Sequence, residues 1–300
     1  MITITNLTKT FGEVKALDRL NCNISKGSVF GLVGSNGSGK STLLRILAGV
    51  YEANGGTVRI DGRPSFDDQE VKSRVYFISD YPYFFNDSTV ENTAALYRRL
   101  YPTWDELKYK QLCGIFPINT KAKIINMSKG MQRQAALILA LACCPQYLLL
   151  DEIFDGLDPV IRQLLKKLLM DDVAARGMTV VIASHNLREL EDVCDHVGLL
   201  HKGGIVLEKE LDEMKLGIHK VQAAFTSALP DDAFADIDII DIQKRGLLYN
   251  LVARGGKEEL MAKMNTLNPV FIEALPLTLE EVFISEMEVA GYDINNIMQQ

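Results

Sequence analysis

The sequence predicts an α/β core with a flanking antiparallel β subdomain and a helical insert, followed by a small α+β appendage. Three observations predict it. Short apolar runs that read as strands recur at SVFGLVG (28–34), LLL (148–150) and VVIASH (180–185). A glycine-rich turn joins the first run to a segment of helical period. Beyond about residue 216 the pattern changes to short strands and helix-period segments.

The chain has 300 residues, long for one compact domain, so a large domain over 1–215 and a smaller one over 216–300 are predicted. Hydrophobic residues make up 47% and charged ones 24%, which suits a packed core. A net charge of −7 argues against nucleic acid as the main partner. The five cysteines form no C-x-x-C pair and the four histidines complete no zinc pattern, so ordinary reduced thiols of the cytosol are expected. The N-terminal MITITNLTKTFG lacks the basic and apolar regions of a signal peptide. The most apolar stretch, AALILALACC (135–144), is too short to span a bilayer, which takes roughly 20 residues.

ITITNLTKTF (2–11) and TVRIDG (57–62) read as antiparallel strands flanking the core. SVFGLVG leads into Gly34, Ser35, Asn36, Gly37, Ser38, Gly39, Lys40, Ser41 and Thr42, which contain G-x-x-x-x-G-K-S. Glycines there let the backbone curl so that N–H groups face phosphate oxygens, and the helix N-terminus adds its positive end. Lys40 reaches the β- and γ-phosphates, and the Ser41 hydroxyl ligates Mg²⁺. STLLRILAG (41–49) is the helix, with Leu43, Leu44 and Leu47 on its apolar side and Gly49 as its stop. A nucleoside triphosphate site follows from this loop. Kinases, GTPases, helicases and transport ATPases share it, so it leaves the function open.

The helical insert is placed at about 64–142. Its first part is aromatic, with Tyr76, Phe77, Tyr81, Tyr83, Phe84 and Phe85. YPTWDELKYKQL (101–112) reads as a helix capped by Thr103. MSKGMQRQ (127–134) precedes the very apolar run and reads as the start of a buried helix. Ser128 there is an N-cap, or an anion contact for a second subunit, since the phosphate loop is far away. In LLLDE, Asp151 can hold the Mg²⁺ shell and Glu152 can orient the attacking water. His185 is either structural or close enough to touch a γ-phosphate. Past VGLLHKGGIVLEK (197–209), KVQAAF, GLLYNLVARG and FIEALPL read as strands. KEELMAKMNTL reads as a helix presenting Leu260, Met264 and Leu267, and TLEEVFISEM as one presenting Leu279, Val282, Phe283 and Met287.

In this order, the phosphate loop, an S-x-G-x-Q-like segment at 128–132, LLLDE, GLDP at 156–159 and SH at 184–185 resemble the ATP-binding subunit of ABC transporters over the first two-thirds of the chain. The resemblance implies a P-loop NTPase core that binds ATP and Mg²⁺. Gly34 to Thr42 match the Walker A loop, Asp151 and Glu152 the Walker B pair, and His185 the switch histidine. Phe11 matches the aromatic that stacks on adenine, and Asp158 the D-loop. Ser128 and Gly130 match the signature, while Lys129 and Met131 depart from its usual S-G-G-Q. The S-K-G-M form resembles a branch of Gram-positive exporters and regulators. Ile153 replaces the usual proline. Asp80 stands where the family has the glutamine that senses Mg²⁺ and γ-phosphate, and it is expected beside Ser41 and Asp151 as a metal ligand.

The same resemblance implies a head-to-tail dimer with a second nucleotide-binding subunit, identical or different, whose signature completes the ATP site. It also implies integral membrane permease subunits docked near 80–85, where the aromatics serve either as packing under a loop or as a groove for a membrane-subunit helix. The location is then cytoplasmic and peripheral to the membrane, and the work ATP-driven export. The alternative is a soluble ATPase of the same type with a regulatory or drug-sensing role. One acting on ribosomes or DNA is disfavoured by the single phosphate loop.

Overall fold

The computed structural model describes residues 1–211, 213, 217–230 and 233–283. The chain divides into two compact units, with the break after Glu208. The boundary expected between 215 and 216 lies outside the described residues, as does Met287.

The first unit opens with strands β1 (Ile2–Phe11), β2 (Val14–Ile24) and β3 (Val29–Val33) and helix α1 (Lys40–Leu47). Strands β4 (Gly55–Ile60) and β5 (Arg63–Pro64), helix α2 (Gln69–Arg74) and strand β6 (Val75–Ile78) follow. Three helices come next, α3 (Val90–Leu100), α4 (Glu106–Ile115) and α5 (Lys129–Ala142). The unit ends with β7 (Tyr147–Asp151), α6 (Pro159–Arg176), β8 (Thr179–Ser184), α7 (Leu187–Leu190), β9 (His196–His201) and most of β10 (Gly204–Glu210).

Two sheets result. One has the order β2-β1-β4-β5 and is antiparallel; the other is six-stranded, β10-β9-β3-β8-β7-β6. Strands β3, β7 and β8 are buried at every residue, which is why they read as continuous apolar runs. Helix α1 packs against β2 of one sheet and against β7 and β8 of the other, so Leu43, Leu44, Ile46 and Leu47 join both sheets in one core. The helix stops as expected: Gly49 follows with φ +67° and its N–H bonds the carbonyl of Ile46.

The insert differs from its expected limits. Strand β6 lies within 64–142 yet pairs in parallel with β7, so Val75–Ile78 belong to the core sheet. Past β6 the helices of the insert begin at Val90. Helix α4 is capped by Asp105, whose Oδ1 accepts from the N–H groups of Leu107 and Lys108. Thr103 is no cap, since its hydroxyl donates to the carbonyl of Cys143. That bond, with Asp105 N–H on the carbonyl of Ala142, ties α4 to the end of α5.

The second unit holds strands β11 (Ile218–Ala224), β12 (Asp238–Arg245), β13 (Leu248–Arg254) and β14 (Phe271–Leu275) in the order β12-β13-β11-β14, with α8 (Lys257–Thr266) against β11 and β14. Val221, Ala223, Phe225, Tyr249 and Leu251 meet Leu260 and Met264 in its core. Residues 279–283 are helical, and Leu279, Val282 and Phe283 are buried. Strand β12 has no counterpart in the sequence reading.

Asp172 on α6 accepts from Lys108 of α4 and, at 3.0 Å, from Arg176 Nη2, so it links the insert to the core. Asp172→Ala removes both partners' acceptor and is expected to cost about 1–3 kcal/mol. The check is the urea midpoint, which should fall at unchanged slope; an unmoved midpoint would show that the insert is held without this contact.

Candidate active site

Parallel pairing decides what meets at the end of the six-stranded sheet. Val33 is level with Ser184, and Asp151 with Ala183. The residues that continue each strand, Gly34, Glu152 and His185, therefore emerge side by side.

The phosphate loop is shaped by glycine where nothing else fits. A Cβ on Gly34 would lie 2.3 Å from the carbonyl oxygen of Leu200 and 2.6 Å from Ser38 Oγ. Gly39 has φ +113° and caps α1 with no side-chain bond, leaving the first N–H groups of the helix free for an anion. Asn36 and Gly37 are exposed on the open side of the loop, Ser35 and Thr42 are half-buried, and Ser38 is buried with its hydroxyl unpartnered.

Lys40 is 5% exposed. Its ammonium folds back on the loop, donating to the carbonyls of Gly34 (2.7 Å) and Ser35 (3.1 Å), and pairs with Glu152 Oε1 at 3.6 Å. Burial pulls its pKa below the ordinary lysine value, while Glu152 and Asp151 act to raise it.

Ser41 Oγ donates to Asp151 Oδ1 at 3.0 Å. Asp151 is fully buried and its Oδ2 has no hydrogen-bond partner. Burial pushes its carboxyl above the usual range, against the Ser41 bond and the Arg45 charge that lower it. A buried carboxylate with one free oxygen beside a hydroxyl fits a hard, oxygen-seeking cation, so Ser41 and Asp151 suit Mg²⁺.

Glu152 takes a backbone conformation unusual for a side-chain-bearing residue, φ +48°. Its N–H bonds the carbonyl of Ala183, so the sheet itself holds this strained position. The carboxylate then sits between Lys40 and His185, whose Nδ1 is 2.9 Å from Oε2. Among the described residues, Glu152, Asp155 and His185 bring potential ligand atoms within 4.8 Å of one another.

Other expected residues have different company. Asp80 Oδ1 is bound by Arg133 Nη2 at 2.5 Å, and the Asp80 charge is also near enough to act on Asp151, whose carboxyl it helps to raise. Asp158 caps α6, accepting from the N–H groups of Val160 and Ile161. Ser128 caps α5 through the N–H of Met131 and is itself exposed. Gly130 leaves room for the turn after β7, since a Cβ there would lie 2.6 Å from the carbonyl oxygen of Gly156. Phe11 ends β1 with its ring 44% exposed and edge-on to Tyr51 at 5.5 Å. Sequence reasoning missed Tyr51, Asp155 and Arg133. A charged residue in α5, shortly before its ALILALA run, was the available sign for the last.

The ABC transporter family model matches residues 17–155. The ABC transporter ATP-binding protein YtrB of Bacillus subtilis (strain 168) is 32% identical over 286 residues, 95% of this chain and 98% of that protein. The bacitracin transport ATP-binding protein BcrA of Bacillus licheniformis is 28% identical over 295 residues, 95% and 96% of the two chains. The dimeric structure of a bacterial ABC transporter cassette superposes with a TM-score of 0.64 at 26% identity, over 70% of this chain and 99% of that one. The likeness to YtrB runs through both units and nearly the whole of that protein, and the chain belongs to the ABC transporter family.

Proposed function

We propose that the chain is the ATP-binding and ATP-hydrolysing subunit of an ABC transporter, working with separate membrane subunits in export. The observation that carries this is the placement of Glu152 at the end of β7, between Lys40 and His185 and beside the phosphate loop. Phosphoryl transfer needs little covalent chemistry from the protein; it needs positioning and charge. Lys40 and the free N–H groups of α1 bind the phosphates. Ser41 and Asp151 would hold Mg²⁺, which when bound would supply positive charge against the phosphate oxygens. Glu152 orients and polarises the attacking water, and His185 fixes the Glu152 carboxylate. Phe11 and Tyr51 offer the adenine a stacking face.

Ser128 and Gly130 face a second nucleotide-binding subunit. The exposed N-terminus of α5 supports this, as does the dimeric form of the related cassette. No helix among the described residues is long and apolar enough to cross a membrane, so transport requires partners that do. Tyr81, Tyr83 and Phe85 are 69%, 81% and 68% exposed, and Tyr83 and Phe85 border a groove formed with Phe84, Leu96 and Tyr97. Large aromatics left in water suit a docking helix of a permease. Relatives named for bacitracin transport and lantibiotic transport support the transport reading.

Glu152→Gln keeps the shape of the site but removes its base. Phosphate release is expected to fall at least about a hundredfold while ATP binding stays; turnover like the wild type would remove Glu152 from this role. The same variant should be a monomer alone and a dimer with Mg-ATP by solution mass. A chain that binds ATP yet remains monomeric would instead require a different partner cassette. Alanine at Tyr83 and Phe84 should abolish co-purification with the membrane subunit, and intact binding would place the docking face elsewhere.

A further inference from the structure

Arg133 is 7% exposed on a helix whose residues Ala135 to Ala142 are apolar and buried. A guanidinium in that position must be paired. Its partners come from two other segments of the first unit. Nη2 donates to Asp80 Oδ1 at 2.5 Å and to the Asp80 carbonyl at 3.1 Å. Nη1 donates to the carbonyl of Asp155. Gly156 leaves room for this, since a Cβ there would lie 3.2 Å from Nη1. A second contact joins the same segments: Lys129 Nζ lies 5.3 Å from the centre of the Tyr81 ring. The turn after β6, the turn after β7 and the first turns of α5 thus close around one side chain. Asp155 is also one of the three groups gathered at the catalytic carboxylate.

We propose that Arg133 is a positioning residue for ATP hydrolysis, coupling the turns that carry Asp80 and Asp155 to α5, and that Asp80 serves as its counter-ion and not as a Mg²⁺ ligand. The planar fork of arginine suits this work, because its two Nη groups reach a carboxylate and a carbonyl on different segments at once. Through Asp155 the fork sets the turn that holds Glu152; through Asp80 it sets the segment leading to the exposed aromatics. A lysine in its place supplies one point charge and holds Asp80 or the carbonyl, not both.

The inference rests on the ATPase reading, and its test separates the two. ATP hydrolysis by the full chain is measured over a range of ATP and Mg²⁺ for wild type, Arg133→Gln, Asp80→Asn, the double variant and Arg133→Lys. Each single amide variant should lower kcat about tenfold with KM for ATP within about threefold, and the double should be no worse than the poorer single. Arg133→Lys should recover part of the loss. The Mg²⁺ concentration at half-maximal rate should stay within about twofold throughout. Losses that multiply in the double, or a Mg²⁺ requirement raised by Asp80→Asn alone, would overturn the proposal. A wild-type chain that neither binds nor hydrolyses ATP would sink the ATPase reading, and one that binds ATP without turnover would require the different partner cassette. In either case the urea midpoints of wild type, the two amide singles and the double still read the pair: non-additive shifts support it, and additive shifts overturn it.

Discussion

The chemistry depends on the register of three buried strands. β3, β8 and β7 run parallel, so their carboxyl ends lie at one edge, and ligands of open parallel sheets bind outside that edge. A slip of one residue in any of these pairings would turn Gly34, Glu152 or His185 toward the wrong face. The register is protected because each strand is buried on both sides, between α1 and the antiparallel sheet on one face and the helices on the other. That packing is also what holds Glu152 in its left-handed conformation. The site is rigid because it is the end of a core and not a free loop.

Electrostatics then sets what the edge can hold. Asp151 and Glu152 are adjacent acids with little exposure, and Lys40 is the buried cation set against them. Lys40 also spends two of its protons on the loop's own carbonyls. Asp151 consequently keeps one oxygen with no partner, and burial works against its charge. The site is short of positive charge on the Asp151 side and has free N–H donors at the start of α1. A divalent cation and a phosphate chain supply complementary halves of that deficit.

The phosphate loop and the strand ends were legible because their constraints are local: a glycine at φ +113°, an apolar run, a lysine next in sequence. The aromatic stretch was ambiguous for a physical reason. Tyr76 lies in β6 and is nearly buried, whereas Tyr83, seven positions on, is almost fully exposed, and composition alone gives both the same weight. β12 was missed because it is mostly exposed, with only Ile239, Ile240 and Asp241 half-buried, and its charges interrupt any alternation. At the start of α4, Thr103 and Asp105 are both competent caps, and only the carbonyl of Cys143, brought in by tertiary packing, decides which one turns away. Arg133 was out of reach in the same way. Its partners are 53 and 22 residues distant, and no spacing rule connects them.

The shape of α5 explains why such long-range contacts matter. It runs from an exposed N-terminal turn into a body in which Ala135 to Ala142 are at most 4% exposed. At about 1.5 Å per residue the helix is a stiff rod of about 21 Å. Its buried end cannot shift without opening voids in a close-packed core. A load applied at the exposed end is therefore taken up by whatever touches its first turns, and those are the turns after β6 and β7. One of these leads from Asp80 to the exposed aromatics, and the other begins at Glu152. A contact made at Ser128 or Lys129 is mechanically nearer to both than sequence distance suggests, because the stiffness of the helix and the fork of one arginine lie between them.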